Sequence, residues 1–245
     1  MLNYYTMKLK IIYRSSVVWN ISGFTILAFF FLYAERALSL EKTALDMSFF
    51  KSFITSNKIL LSSFIISILS LYTLRKFSFT LVLSLLVYVG AVFIYDLFQQ
   101  FDKLILLMLF FYIIFSYYFL LELYTELSRA YLNPKFSENE LFDPMLYKIN
   151  ASIVVDSKVV GSGYLTNWDE VSCFLHTSDN LSEYEGTIKI EFDGCEFLQD
   201  AKIASKGNNI GIGLKFVRNE NDTILNWNEF IKIITDQGFQ VEYMK

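Results

Sequence analysis

The chain contains few of the residues that most often carry chemistry in proteins. Its 245 residues include only two cysteines, Cys173 and Cys195, and one histidine, His176. Two cysteines cannot form the disulfide framework of a small secreted protein, and neither has the spacing of a metal ligand. One histidine leaves little basis for histidine catalysis or a histidine-rich metal site. We therefore predict no catalytic residue, no metal site and no enzymatic activity.

Apolar residues dominate the composition instead. Hydrophobic residues make up 54% of the chain and the mean hydropathy is +0.39, which is too apolar for a disordered chain or an ordinary soluble domain. Charge is distributed unevenly, because residues 1–124 hold 10 Lys/Arg and 6 Asp/Glu whereas residues 125–245 hold 11 and 19. All the long apolar runs lie in the first half, so we predict a domain boundary near residue 124.

Four uncharged apolar runs in the first half have about the length of membrane-spanning helices. A bilayer core of ~30 Å needs about 20 apolar residues as a helix, with a lower limit of ~17. The second run is slightly short, and tilt or flanking residues can compensate. One such run alone could be a buried soluble helix, but four together predict a transmembrane domain over residues 1–124. The predicted spans are residues 17–34, 59–74, 77–95 and 104–121.

Basic residues set the expected orientation of these spans. The amino-terminal tail carries Lys8, Lys10 and Arg14, and the link between the second and third runs carries Arg75 and Lys76, with no acid in either. By the positive-inside rule both segments belong on the cytoplasmic side. Four spans then return the chain to that side, so both termini are predicted to be cytoplasmic.

The predicted spans contain few ionisable groups. Glu35, Asp96 and Glu122 lie at their ends, where we expect them to reach water, whereas transporters and pumps usually carry charges inside the membrane. Polar residues such as Asn20 more often join helices to one another. Anchoring or oligomerisation is therefore favoured over transport. Residues 38–54 are predicted either as an amphipathic helix at the outer interface or as an ordered loop.

The second half is predicted to be a small β-barrel with one helix. Residues 125–145 are polar, contain both prolines and form the predicted linker. In the predicted domain, residues 146–245, six segments rich in β-branched and aromatic residues alternate with short turns. This pattern is typical of a small antiparallel barrel or sandwich. The chain closes with an amphipathic helix that Asp222 or Thr223 can cap.

Two short segments in this half carry a resemblance to a known family. The sequences CFL at residues 173–175 and GIGLKF at residues 211–216 resemble strand motifs of PilZ domains, which are six-stranded barrels with a terminal helix. The resemblance covers about residues 140–238 and nothing in the apolar half. PilZ domains are receptors for the bacterial second messenger cyclic di-GMP. The resemblance therefore implies a cytoplasmic PilZ-like barrel at a bacterial inner membrane.

The same resemblance implies where a ligand would bind. In the family, an R-x-x-x-R motif leads into the first strand, and Pro144 and Lys148 stand at its two arginine positions. A second motif, D/N-x-S-x-x-G, is matched by Asn167, but Asp169 stands at its serine and Ser172 at its glycine. Lysine lacks the planar guanidinium group that grips phosphates, and a carboxylate repels them. Both ligand motifs are therefore interpreted as degenerate.

These observations predict a membrane-anchored, PilZ-like signalling or scaffold module. It is expected to bind a protein partner or, less readily, cyclic di-GMP, and to need no other cofactor. The alternative is a subunit of a small oligomeric channel whose barrel forms a cytoplasmic vestibule. The acidic second half disfavours nucleic acid as a partner. The expected partners are the lipid bilayer, an unidentified protein and further copies of the chain.

Overall fold

The chain folds into two compact units. The first comprises residues 15–127, whereas the second combines residues 1–14 with residues 128–245. The amino-terminal tail, which the sequence analysis grouped with the apolar half, is thus assigned to the second unit. The computed structural model describes residues 9–99, 101–134, 149–156, 158–179, 181, 185–207, 211–217 and 226–237.

The described part of the first unit consists of five helices. Three of them, with 24 or 25 residues each, are about 36 Å long and can cross a bilayer. Three helices are thus long and apolar enough to span a membrane, or four if a bent pair is counted as one span. The helices are α1 (Ser16–Ser39), α2 (Met47–Ser56), α3 (Lys58–Leu71), α4 (Lys76–Gln99) and α5 (Lys103–Leu127).

The second predicted span differs from the other three. The spans predicted at residues 17–34, 77–95 and 104–121 lie within α1, α4 and α5. The run predicted at residues 59–74 corresponds mainly to α3, whose 14 residues extend only about 21 Å. Helices α2 and α3 meet at an angle of 81°, as in a broken span or a re-entrant loop. The break lies at Asn57, whose side chain donates a hydrogen bond to the Phe53 carbonyl, a local bond that competes with regular helix.

Residues 38–54, which are predicted as either a helix or a loop, contain a turn followed by α2. Asp46 caps this helix, because its carboxylate accepts a hydrogen bond from the second backbone N–H of α2 at 2.8 Å. Two buried rings of α2, Phe49 and Phe53, contact the ring of Tyr33 in α1. The helical interpretation therefore holds from the start of α2, and its apolar face packs on α1.

The second unit contains one antiparallel sheet that closes into a barrel. The strand order is β1-β6-β5-β2-β3-β4-β7, and an additional pairing of β6 with β7 closes the six strands from β2 to β7. The predicted six-stranded antiparallel barrel is confirmed, and β1 is an extra strand paired with β6. The strands are β1 (Leu9–Ile11), β2 (Asn150–Val155), β3 (Lys158–Asp169), β4 (Ser172–His176), β5 (Glu185–Phe192), β6 (Cys195–Gly207) and β7 (Gly211–Phe216).

The barrel core is closed by the predicted carboxyl-terminal helix, here α6 (Trp227–Asp236). Asn226, not Asp222 or Thr223, caps it. The Asn226 side chain accepts hydrogen bonds from the first turn, and the Glu229 carboxylate accepts one from the Asn226 N–H at 3.1 Å. This reciprocal capping box explains why the helix begins at that point. The helix contributes Trp227, Phe230 and Ile234 to a core shared with Ile153, Ile190, Phe197 and Leu214.

Candidate functional site

Two stretches of the chain connect the helices to the barrel. The first connector, residues 9–14, ends just before α1, and the second connector, residues 128–134, follows α5 directly. Both belong to the barrel unit by their contacts. The candidate site is the part of the barrel that holds them.

Three of the predicted ligand residues lie at the turn between β3 and β4. Asn167 and Asp169 are in the last part of β3, and Ser172, which pairs with Asp169, begins β4. Asn167 and Ser172 are buried, and the side chain of Asp169 is only 13% exposed. Pro144 and Lys148, the other two predicted positions, lie outside the described residues. The structure therefore brings together three of the five.

Asp169 holds the second connector by its carboxylate. Its Oδ2 accepts hydrogen bonds from the Ala130 N–H at 2.7 Å and from the Ser172 hydroxyl at 2.6 Å. Its Oδ1 accepts one from the Val171 N–H at 2.8 Å, and Nη1 of Arg129 lies 3.6 Å away. Hydrogen bonds to an ionised acceptor are about twice as strong as neutral ones. The acceptor capacity of Asp169 is therefore largely used within the protein.

Asn167 and Ser172 hold the same connector. Nδ2 of Asn167 donates a hydrogen bond to the Asn133 carbonyl at 2.6 Å, and the Tyr131 N–H donates one to the Ser172 hydroxyl at 3.4 Å. Between these contacts, residues 130–132 form a single 3₁₀ turn. All three predicted ligand residues in the described part of the chain therefore bind its own backbone.

A bulge in β6 holds both connectors at once. The register with β7 shifts around Ala204, which leaves this residue as an extra one in its strand. The Ala204 carbonyl accepts hydrogen bonds from the N–H groups of Ile12 at 2.9 Å and Tyr13 at 3.1 Å in the first connector. The hydroxyl of the next residue, Ser205, donates to the Tyr131 carbonyl in the second connector. The bulge thus presents a backbone carbonyl that a regular ladder would use internally, and the side chain of the next residue supplies a donor.

Gly213 in β7 provides the space that the second connector needs. It pairs with Ser205, and a Cβ atom at Gly213 would overlap the Tyr131 carbonyl and the Ser205 hydroxyl. Gly211 has φ of 135°, and a Cβ there would overlap the Leu175 carbonyl. Local sterics therefore explain both glycines of the GIGLKF segment, because each allows another stretch of backbone to approach closely.

Sequence reasoning missed the connector residues themselves. Arg129 and Tyr131 lie in the segment predicted as a plain linker. Arg129 is followed at the fourth position by Asn133, so this stretch has the spacing of R-x-x-x-R with asparagine at the second position. This spacing is the feature of the sequence that could have identified the second connector as part of the site. Trp227 was also missed, although its Nε1 donates to the Asp169 carbonyl at 2.8 Å and ties α6 to the same turn.

Cys173 and His176 occupy structural positions, whereas the thiol of Cys195 is exposed. Cys173 is fully buried in β4, and burial together with the charge of Asp169 raises the pKa of its thiol, so it stays protonated at neutral pH. The ring of His176 packs 4.9 Å from that of Tyr164. Among the described residues, no group of three or more His, Cys, Asp or Glu side chains is placed to hold a metal ion.

A second polar cluster lies in the helical unit and corrects one expectation. Glu35 of α1 is fully buried and Asp96 of α4 is 5% exposed, so neither reaches water as the sequence analysis expected. Their carboxyl groups are neighbours, and Nη1 of Arg36 lies 2.9 Å from Oδ2 of Asp96. Position near a helix end does not prevent burial, because neighbouring helices cover the end. Buried ionisable groups in apolar helices commonly have a functional role.

No protein-family model, curated protein or solved structure matches this chain. The features that bear on function are therefore the barrel, its two connectors and the buried cluster of the helical unit.

Proposed function

We propose that the protein is a membrane-anchored, PilZ-like module that signals from, or acts as a scaffold at, the cytoplasmic face of a bacterial inner membrane. The observation that carries this proposal is the use of Asn167, Asp169 and Ser172 to hold the second connector. Positions that resemble a nucleotide site serve here to tie a barrel to the helices. Only two residues separate the last residue of α5 from Ala130 in the chain, so the segment that the barrel holds follows α5 almost directly.

The apolar surface of the helical unit supports the membrane part of the proposal. In the most apolar stretch of α5, only 22% of the residues are buried inside the protein. An apolar surface of this extent would not be stable in water, whereas a helix that satisfies its own backbone is stable in lipid. The basic amino-terminal tail favours a cytoplasmic amino terminus. The carboxyl terminus lies on the same side when α2 and α3 together form one span.

A protein partner is preferred over cyclic di-GMP as the occupant of the barrel. Asp169 would place negative charge beside the nucleotide phosphates. Arg129 lies beside that same carboxylate. The second connector, moreover, already contacts the residues that a nucleotide would need.

The expected result is that cyclic di-GMP does not bind at micromolar concentration. Isothermal titration calorimetry on the full-length protein in a neutral detergent tests this directly. Micromolar or tighter binding would contradict the proposed degenerate site. In that event, loss of the binding in Lys148→Ala would restore the usual mechanism of PilZ domains, and unchanged binding would locate the nucleotide elsewhere.

A second candidate is a subunit of a small oligomeric channel with the barrel as its vestibule. The buried cluster of Glu35, Asp96 and Arg36 favours it, because ionisable groups inside membrane-spanning helices often mark ion pathways. This candidate predicts an oligomer in detergent by light scattering and a conductance in planar bilayers that Asp96→Asn alters. Lys158→Gln, a charge change in the barrel, serves as the control. A strict monomer without conductance would exclude the channel.

A further inference from the structure

Strand β6 places lysines opposite other lysines on both of its sides. Lys202 is the register partner of Lys215 in β7, and Lys206 is the register partner of Lys10 in β1. Like charges directly opposite one another destabilise an antiparallel pair. Lys206 uses its ammonium group to donate to the Leu181 carbonyl at 2.7 Å. The register of β6 with β7 places the other pair, Lys202 and Lys215, opposite each other in the barrel, where a bound anion would offset the repulsion between the two ammonium groups.

Aromatic rings from the two connectors hold this lysine pair. Nζ of Lys202 lies 4.3 Å from the centroid of the Tyr13 ring. Nζ of Lys215 lies 5.6 Å from the Tyr13 ring and 5.7 Å from the Tyr131 ring. Such cation–π contacts orient the ammonium groups. Each ammonium group has three donors, so contact with a ring face is compatible with a hydrogen bond to an anion.

Charge changes sign along β6. Glu196 and Asp200 lie in the first half of the strand, and Lys202 and Lys206 lie in the second half. Glu185 of β5 is the register partner of Lys202 on the side away from β7. The Lys202–Lys215 pair therefore lies in the lysine-containing half of β6, and the register of the described strands places Glu185 opposite Lys202.

Both tyrosines that contact the lysine pair are also near the ends of apolar helices in the chain. Tyr13 precedes Ser16, the first residue of α1, by three positions, and Tyr131 follows Leu127, the last residue of α5, by four. Because a residue extends at most about 3.6 Å, both tyrosines lie within about 15 Å of a helix end. Helices that cross a bilayer end near its headgroups, where tyrosine and lysine are favoured.

We propose that Lys202 and Lys215, together with Tyr13, form a site for the phosphate group of an anionic lipid at the cytoplasmic surface. The site rests on the membrane anchoring proposed above. The two ammonium groups neutralise the phosphate, and the tyrosine rings set their positions from the two connectors. Lipid binding would thus hold the barrel at the bilayer surface.

The proposal is tested by titrating the full-length protein in neutral detergent with phosphatidylglycerol or phosphatidylcholine. Native mass spectrometry counts the lipid adducts and gives the dissociation constant of the first lipid. Each lysine near the surface is expected to contribute about a five-fold preference for the anionic lipid, so the pair gives about 25-fold. K202Q/K215Q is expected to lose that preference, and K202R/K215R is expected to keep it.

The matched control is K158Q/K232Q, which makes the same charge change at two exposed positions and is expected to keep the preference. A preference that survives in K202Q/K215Q would overturn the proposed site. Displacement of the lipid by an equal concentration of inorganic phosphate would also overturn it in favour of a soluble anion. Alkaline carbonate extraction distinguishes a failure of the proposed membrane anchoring from a failure of the proposed lipid site. A chain released from membranes contradicts the proposed anchoring, whereas a retained chain without the lysine-dependent preference contradicts only the lipid site.

Discussion

Gly213→Ala is expected to displace the second connector from the barrel and to lower the free energy of unfolding by about 3 kcal/mol, the upper part of the range for overpacking. The new Cβ atom would overlap the carbonyl of Tyr131 and the hydroxyl of Ser205. A hydroxyl can rotate away, but the carbonyl belongs to backbone that is fixed by Asp169 and Ser172. Chemical denaturation and trypsin cleavage after Arg129 measure the two effects.

The control for this substitution is Gly23→Ala in α1. Nothing lies within 4 Å of the position that a Cβ would take at Gly23, and alanine is favoured over glycine inside a helix by up to about 1 kcal/mol. The control is thus expected to be neutral or stabilising. Unchanged stability and unchanged cleavage after Arg129 in Gly213→Ala would mean that the connector does not depend on this glycine.

The barrel and its helix could be predicted because their signals are local. Strands such as β5 alternate apolar and charged residues, and short turns separate the strands. The closing pairing of β6 with β7 joins two strands that are consecutive in the chain and separated by three residues, as in a hairpin. The cap of α6 was placed too early, since a reciprocal pair at Asn226 and Glu229 outweighs a single cap candidate.

The two connectors could not be predicted because their structure depends on distant residues. Strand β1 has three residues, too few for a periodic signal, and it is held by pairing with β6 and by the carbonyl of Ala204 at the bulge. The turn at residues 130–132 is held by side chains that lie 39 to 74 positions later in the chain. Neither feature is encoded in the segment itself.

The helical unit shows a similar limit. Hydropathy identifies apolar runs but does not report the direction of a helix axis. The bend of 81° between α2 and α3 could therefore not be predicted from the sequence. Hydropathy also does not predict the burial of Glu35 and Asp96. A position near the end of an apolar run does not by itself expose a side chain to water. For the barrel site, family resemblance located Asn167, Asp169 and Ser172, but only their contacts assign them to the second connector.

Asp169→Ala is the second substitution with a large expected effect. It removes the acceptor for the N–H groups of Ala130 and Val171 and for the hydroxyl of Ser172. Hydrogen bonds to a charged acceptor contribute about 1.5–3 kcal/mol each, and unsatisfied donors add a penalty. Some of these donors can reach water after the substitution, which reduces the total cost. We therefore expect the free energy of unfolding to fall by about 3 kcal/mol. Chemical denaturation of the full-length protein measures it.

The matched control is Glu196→Gln, which removes an equal negative charge from an exposed pair with Lys189 at 2.7 Å. Exposed ion pairs contribute about 0–1 kcal/mol, so this variant should differ little from the parent protein. A loss of similar size in the two variants would show that Asp169 acts only through net charge.

Combining Asp169→Ala with Gly213→Ala tests whether the two residues serve the same connector. Both contact residues 130–131, so release of that segment by one substitution leaves less for the other to disturb. The double variant is therefore expected to lose at least about 1 kcal/mol less than the sum of the two single losses. Residues that act independently give additive losses, and additivity here would contradict the connector as the shared element. If the two residues serve the same connector, trypsin cleavage after Arg129 is already fast in each single variant and is expected to rise little further in the double variant.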